Sequence, residues 1–257
     1  MIFAGIDIGS ITTKAALIRG NEVLATRVIP TGFDHARAAE TVYGKILDDL
    51  GLAPKNIRAV VATGYGRASV DFAQKAVTEI ICHGAGAHFL NPQIRGVIDV
   101  GGQDSKAILL DSSGQVQDFA MNDKCAAGTG RFLEVMAQAL EIRLEDLGAM
   151  GLSGDDPVRI SSVCTVFAES EVISMIAGQK KRENIIAGIH ASAAARIASL
   201  AARTKVRPPI AMTGGVAKNK GMIKALEDCL GAPLLINHYP QENGAIGAAA
   251  LASRLQA

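Results

Sequence analysis

Tryptophan is absent from the 257 residues, and aromatic side chains make up only 4%. That scarcity argues against stacked-base platforms and aromatic sugar subsites. Charge of one sign is missing too. The 26 Lys and Arg against 25 Asp and Glu leave a formal net charge of +1, and with no basic run there is no electrostatic case for binding nucleic acid or an anionic membrane. No apolar run approaches the roughly 18–20 residues of a membrane span. Met1-Ile2-Phe3-Ala4-Gly5-Ile6 enters a strand pattern with no basic leader or cleavage site, so the expectation is a cytoplasmic protein. The four cysteines include no C-x-x-C pair and in such a compartment do not form a disulfide framework, which leaves packing, metal ligation or redox chemistry. Neither G-x-x-x-x-G-K-[ST] nor a G-x-G-x-x-G after a strand occurs, so P-loop and Rossmann sites lose their usual support.

Hydrophobic residues at 49% against 20% charged supply ample apolar mass, and the length suits two domains. The chain repeats itself at an offset of 92 residues. Ile6-Asp7-Ile8-Gly9 matches Ile98-Asp99-Val100-Gly101, Lys14-Ala15 matches Lys106-Ala107, and Leu17 matches Leu109. Each copy reads as strand, tight Gly turn and second strand, a duplicated β-hairpin. Between the copies the pattern predicts a helix over 35–50, a strand over 57–62 and a helix over 68–89. After the second copy it predicts helices over 130–140, 165–177, 184–203, 219–230 and 245–255, with strands over 209–212 and 233–236. The order is that of two α/β halves sharing one ancestral core.

Equivalent Asp-x-Gly turns in both halves suggest a ligand gripped from two sides, with backbone amides as anion donors and carboxylates placed for a metal; phosphate with Mg²⁺ is the natural candidate. Taken singly, each turn is also an ordinary hairpin turn. Two cysteines stand before amphipathic segments. Cys125 lies in Asn122-Asp-Lys-Cys-Ala-Ala-Gly-Thr-Gly-Arg-Phe-Leu133, and Cys164 in Ser161-Ser-Val-Cys-Thr-Val-Phe-Ala-Glu-Ser170. A helix N-terminus favours the thiolate, the form that ligates metal. Cys82 and Cys229, inside helical patterns, read as inert core cysteines. Two ligands per chain close neither a [4Fe–4S] cluster nor a structural zinc site, but two identical chains supply four. The residues alone indicate a bridging metal and do not choose between iron and zinc.

Asp7-Ile8-Gly9-Ser10 with Lys14 resembles the first phosphate loop of the actin, sugar-kinase and heat-shock-chaperone ATPase superfamily. Asp99-Val100-Gly101-Gly102 resembles its second loop, and Thr213-Gly214-Gly215-Val216 its adenosine turn. The resemblance implies an α/β fold of two RNase H-like domains with a nucleotide cleft between them. The first domain would be residues 1–93 with about 243–257, and the second 94–242, carrying the cysteines. Asp7 and Asp99 are then expected to hold Mg²⁺. Ser10, Thr12, Thr13 and the amides at Gly9, Gly101, Gly102 and Gln103 would meet phosphate oxygens, and Lys14 would act as a point cation. Gln103 and Asp104 are candidates for positioning the attacking water.

The segments Asp99–Lys106, Asn122–Phe132 and Ser161–Val172, with Thr63-Gly-Tyr-Gly-Arg67 and Gly244-Ala-Ile-Gly-Ala-Ala249, resemble the BadF/BadG/BcrA/BcrD ATPase family, and within it the activators of (R)-2-hydroxyacyl-CoA dehydratases. Ile11 departs from the Thr often found in that first loop. This resemblance implies a homodimer binding ATP or ADP with Mg²⁺ and one [4Fe–4S] cluster held by Cys125 and Cys164 of both subunits. A ferredoxin or flavodoxin would reduce the cluster, which would pass single electrons to an iron–sulfur dehydratase or reductase, including benzoyl-CoA reductases and double-cubane cluster proteins. A small-molecule kinase or an actin-like scaffold on the same fold would leave the paired cysteines unexplained.

Overall fold

The computed structural model describes residues 1–162 and 164–255. In chain order its elements begin β1 (Ile2–Ile8), β2 (Thr12–Arg19), β3 (Glu22–Pro30), α1 (His35–Asp49), β4 (Ile57–Thr63), β5 (Lys75–Ala76) and α2 (Glu79–Leu90). They continue with β6 (Gly96–Val100), β7 (Ser105–Leu110), β8 (Val116–Asn122), α3 (Gly130–Ala139), α4 (Leu147–Leu152), α5 (Thr165–Ala177) and α6 (Arg182–Arg203). The last are β9 (Ile210–Thr213), α7 (Lys220–Leu230), β10 (Leu234–Leu235) and α8 (Asn243–Arg254). Two compact units result, Met1–Val97 with Leu110–Gln117 and Asn237–Ala257, and Ile98–Leu109 with Asp118–Ile236.

The first unit's sheet runs β3-β2-β1-β4-β5, with β1 antiparallel to β2 and parallel to β4. Alternation along β1 decides which layer each side chain joins. Ala4, Ile6 and Ile8 pack with Val42 and Ile46 of α1, whereas Phe3 packs with Ala248 and Ala250 of α8. Asp34 caps α1 by accepting from the Arg37 amide at 3.0 Å, a device worth about 1 kcal/mol. The Ala- and Gly-rich α8 approaches its neighbours as backbone against backbone: a Cβ on Gly247 would lie 1.8 Å from the Cys82 carbonyl oxygen of α2, so only hydrogen fits there.

The second sheet runs β10-β9-β6-β7-β8. Read from its first strand, this is the same order as in the other unit, so the 92-residue repeat marks a duplicated five-stranded sheet. Its core joins Ile98, Val100 and Ala107 to Phe132 and Met136 of α3, Ile189 and Ile197 of α6, and Met222 and Leu226 of α7.

Four sequence expectations need correction. Each hairpin continues into a third strand, β3 or β8. Every interior residue of β3 is half-buried and three consecutive residues of β8 are exposed, so neither edge strand shows the two-residue alternation that reveals a strand. The helix expected over 68–89 starts only at Glu79, because Lys75 and Ala76 pair in parallel with Val61 and Ala62 of β4. The six-residue α4 is a helix that the sequence pattern does not predict. Finally, α6 is long and apolar enough to span a membrane by composition, but 56% of its apolar window is buried as it packs on α4 and α7, as a core helix does.

Candidate functional site

In the first unit, the register pairing Asp7 with Lys14 across β1 and β2 brings Lys14 Nζ to 3.2 Å from Asp7 Oδ2. The intervening turn closes through the Gly9 amide, which donates to the Thr12 carbonyl at 3.1 Å. Lys14 lies over that turn, so a Cβ on Gly9 would be 3.0 Å from its ammonium. Thr13 corrects the expectation of a phosphate contact. It is fully buried, with its hydroxyl 2.9 Å from that of Thr31, which donates to the Gly9 carbonyl at 2.8 Å; the pair supports the turn from beneath. Ser10 and Ile11 are exposed and Thr12 is half-buried at the turn.

Asp7 is enclosed by backbone that has no side chain. A Cβ on Gly64 would lie 2.4 Å from Asp7 Oδ1, and one on Gly244 would lie 2.9 Å from Asp7 Oδ2 and 3.1 Å from His83 Nε2. These glycines belong to the Thr63–Arg67 and Gly244–Ala249 motifs, whose place beside Asp7 the linear sequence does not disclose.

The second unit repeats the arrangement. Lys106 Nζ donates to Asp99 Oδ2 at 3.2 Å and to Asp104 Oδ2 at 2.8 Å, with the Lys106 and Asp99 side chains each 3% exposed. Thr213 donates to Asp99 Oδ1 at 2.8 Å. The turn closes from the Gly101 amide to the Asp104 carbonyl at 2.9 Å, and the amides of Gly130 and Arg131 at the start of α3 donate to the Gly101 and Gly102 carbonyls at 2.8 Å. Asp104 is therefore tied down, whereas Gln103 is exposed beside it. Lys106, the buried centre of the cluster, stands out in the sequence only as half of the repeat.

The fold shows a further symmetry that the linear sequence does not disclose. β4 and β9 both end in Thr-Gly, and Gly64 and Gly214 take φ values of +85° and +88°, a conformation that glycine adopts without steric cost. A Cβ on Gly214 would meet the Val100 carbonyl oxygen at 2.2 Å, as one on Gly64 would meet that of Ile8 at 2.5 Å. The two Thr-Gly turns lie 150 positions apart rather than 92, so a fixed-offset search misses them. Gly215 has open space where its side chain would be, and Val216 is buried.

The cysteines divide differently from the sequence expectation. Cys125 precedes α3 by five residues and is not at its N-terminus. Its turn is held by Asn122, whose Nδ2 donates to the Cys125 carbonyl at 2.7 Å and whose Oδ1 accepts from the Cys125 amide at 3.3 Å. Cys164 is the N-cap of α5 and is exposed. Glu171, on the same helix, accepts from the Ser161 and Ser162 amides at 2.9–3.1 Å. Burial acts to raise that carboxyl, and the amide bonds outweigh it, holding the group below its usual range. Val163 of this motif lies outside the described residues. Cys82 is buried, and burial pushes its thiol up to about 12, which makes it inert. Cys229 corrects the core assignment: it is exposed on α7, with its thiol raised by desolvation and by Asp228.

Among the described residues no three His, Cys, Asp or Glu side chains could hold a metal within one chain. Cys125 and Cys164 fit as half of a thiolate set, and α3 and α5, the helices after them, pack together. The Asp7 and Asp99 carboxylates are the hard oxygen donors that suit Mg²⁺.

Residues 4–252 match the model of the BadF/BadG/BcrA/BcrD ATPase family. The chain is 45% identical over 250 residues to the activator of lactoyl-CoA dehydratase of Anaerotignum propionicum, covering 97% of this chain and 96% of that one. Its fold superposes on the activator of the 2-hydroxyisocaproyl-CoA dehydratase from Clostridium difficile with bound ADPNP at a TM-score of 0.93 and 41% identity, covering 100% and 98% of the two chains. The match to component A of the Acidaminococcus fermentans (R)-2-hydroxyglutaryl-CoA dehydratase has a TM-score of 0.96 and 42% identity, over 99% and 98%.

Proposed function

This chain belongs to the BadF/BadG/BcrA/BcrD ATPase family, and from that premise we propose that it is an ATP-driven activator of a 2-hydroxyacyl-CoA dehydratase, delivering single low-potential electrons to an iron–sulfur partner. The observation that carries the reading is the coexistence, in one unit, of a buried Asp99–Lys106–Asp104 cluster at a Gly turn and two cysteine loops leading into packed helices. A kinase needs only the first.

Asp7 and Asp99 bind Mg²⁺ and Lys14 neutralises phosphate charge, while Ser10, Thr12 and the turn amides at Gly9, Gly101, Gly102 and Gln103 take phosphate oxygens. Gly214 and Gly215 let backbone approach the nucleoside. Because Asp104 is bonded to Lys106, Gln103 is the side chain left to orient the attacking water. Cys125 and Cys164 of two chains hold one [4Fe–4S] cluster, which when bound supplies a one-electron store of low potential. Exposed apolar side chains on α5 next to Cys164, among them Val166 at 65% and Phe167 at 67%, support burial against a second copy. A ferredoxin or flavodoxin serves as reductant in the cytoplasm, with no role for nucleic acid or membrane.

Anaerobic purification followed by sedimentation and iron analysis tests this reading. A brown dimer with about four irons is expected; a colourless, iron-free protein after reconstitution would contradict it.

A further inference from the structure

The second unit contains a pocket of about 410 Å³ bounded by the end of β8, the Cys125 turn and the C-terminal half of α6. Lys124, Cys125, Arg196, Ser199 and Arg203 line it, with Asp123 as the one acidic group. Arg196, Ser199 and Arg203 are spaced three and then four residues apart, so they share one face of α6. The pocket thus gathers three cations against one carboxylate.

These cations are also unpaired. The side chains of Lys124, Arg196 and Arg203 form no ion pair or hydrogen bond with any described residue, whereas those of Arg131, Arg143, Lys181 and Lys224 in the same unit each reach a carboxylate. Arg203, in the last turn of α6, complements the helix dipole. The dipole does not explain Arg196, seven residues earlier, or Lys124 on another element. Three solvated cations converging on a concavity constitute a receptor for carboxylates.

We propose that this pocket is the docking socket for an acidic segment of the protein with which the Cys125 site exchanges electrons, its carboxylates pairing with Arg196, Arg203 and Lys124. The electron-exchange half of the statement rests on the function proposed above; recognition of an acidic segment rests on the charges alone. Because Cys125 lines the socket, a partner that fills it touches the cysteine turn, and the local positive field steers that partner to this spot.

A fluorescein-labelled hexaglutamate peptide is the probe, titrated by anisotropy into the protein as purified, with iron and oligomeric state measured on the same sample. Saturable binding that weakens between 50 and 200 mM salt is expected, with no binding of a hexaglutamine peptide. Arg196→Glu and Arg203→Glu should each weaken it about tenfold or more while ATP hydrolysis stays at the wild-type rate. Equal peptide affinity in wild type and both variants would overturn the proposal. So would displacement by inorganic pyrophosphate at concentrations far below those at which the peptide binds, which would mark a small-oxoanion site. Dissociation of the dimer in the variants would instead assign the pocket to the contact between copies. An iron-free protein that still binds the peptide in this charge-dependent way would sink the electron-transfer reading and leave the acidic-segment socket standing.

Discussion

Replacing Lys106 with methionine keeps the aliphatic stem and removes one charge from the buried Asp99–Lys106–Asp104 cluster. Lys106 Nζ holds Asp99 at 3.2 Å and Asp104 at 2.8 Å with 3% of its side chain exposed. Without it, the buried Asp99 carboxylate loses its ammonium partner, while Asp104, 27% exposed, is partly solvated. Removing one partner of a buried pair costs about 3–5 kcal/mol, which for a protein of this size lowers the melting temperature by roughly 6–20 °C. Lys14→Met is the internal control. It breaks the equivalent pair with Asp7, but the Lys14 side chain is 13% exposed and has no second carboxylate partner among the described residues, so the loss should be smaller. Thermal unfolding in EDTA measures both. Added Mg²⁺ should restore more stability to Lys106→Met than to wild type, because the ion binds the folded carboxylates in place of the ammonium. A Lys106→Met protein within about 1 kcal/mol of wild type would refute the reasoning, since no buried charge of this kind is that cheap to unpair.

Cys125→Ser or Cys164→Ser should abolish iron binding, since in the proposed symmetric dimer each would delete two of four ligands, while Cys82→Ser and Cys229→Ser should retain it; iron analysis of the four variants decides. Asp7→Asn and Asp99→Asn should reduce Mg·ATP hydrolysis to background and leave iron content intact, and wild-type turnover in either would show that the turns are only structural. His190 gives a pH dependence. Burial pushes its imidazole down to about 4 from 6.5, so between those pH values the unfolded chain takes up a proton that the folded chain refuses. This stability is complete above pH 6.5 and is lost as the pH falls toward 4, by about 3 kcal/mol in all. Urea titrations should show a shallower decline in His190→Gln over that window, and identical slopes would refute the assignment.

The duplicated Asp-x-Gly turns and both cysteine loops were legible in the sequence because their signals are local: a short repeat at one offset, and a thiol in a Gly- and Ala-rich stretch before a periodic segment. Tertiary packing hid the rest. Lys106 reads as one matched position of the repeat until the fold adds Asp104 to its partners. Gly64 and Gly244 look like turn and helix glycines until they are seen flanking Asp7. Thr13 reads as a phosphate ligand because it follows the turn, yet strand alternation points it at Thr31. Edge strands β3 and β8 lack the two-residue pattern because neither of their faces is wholly buried.

In the proposed function, nucleotide and redox state are coupled in one protein. Linkage makes this measurable: a ligand that binds two redox states with different affinity must shift the potential between them. A redox titration of the anaerobic, iron-loaded dimer with and without saturating Mg·ADP or Mg·ADPNP is therefore the most direct test. The midpoint should move with nucleotide, by about 59 mV for each tenfold difference in affinity between the two states. Identical midpoints in the presence and absence of nucleotide would contradict it and reduce the metal to a structural role.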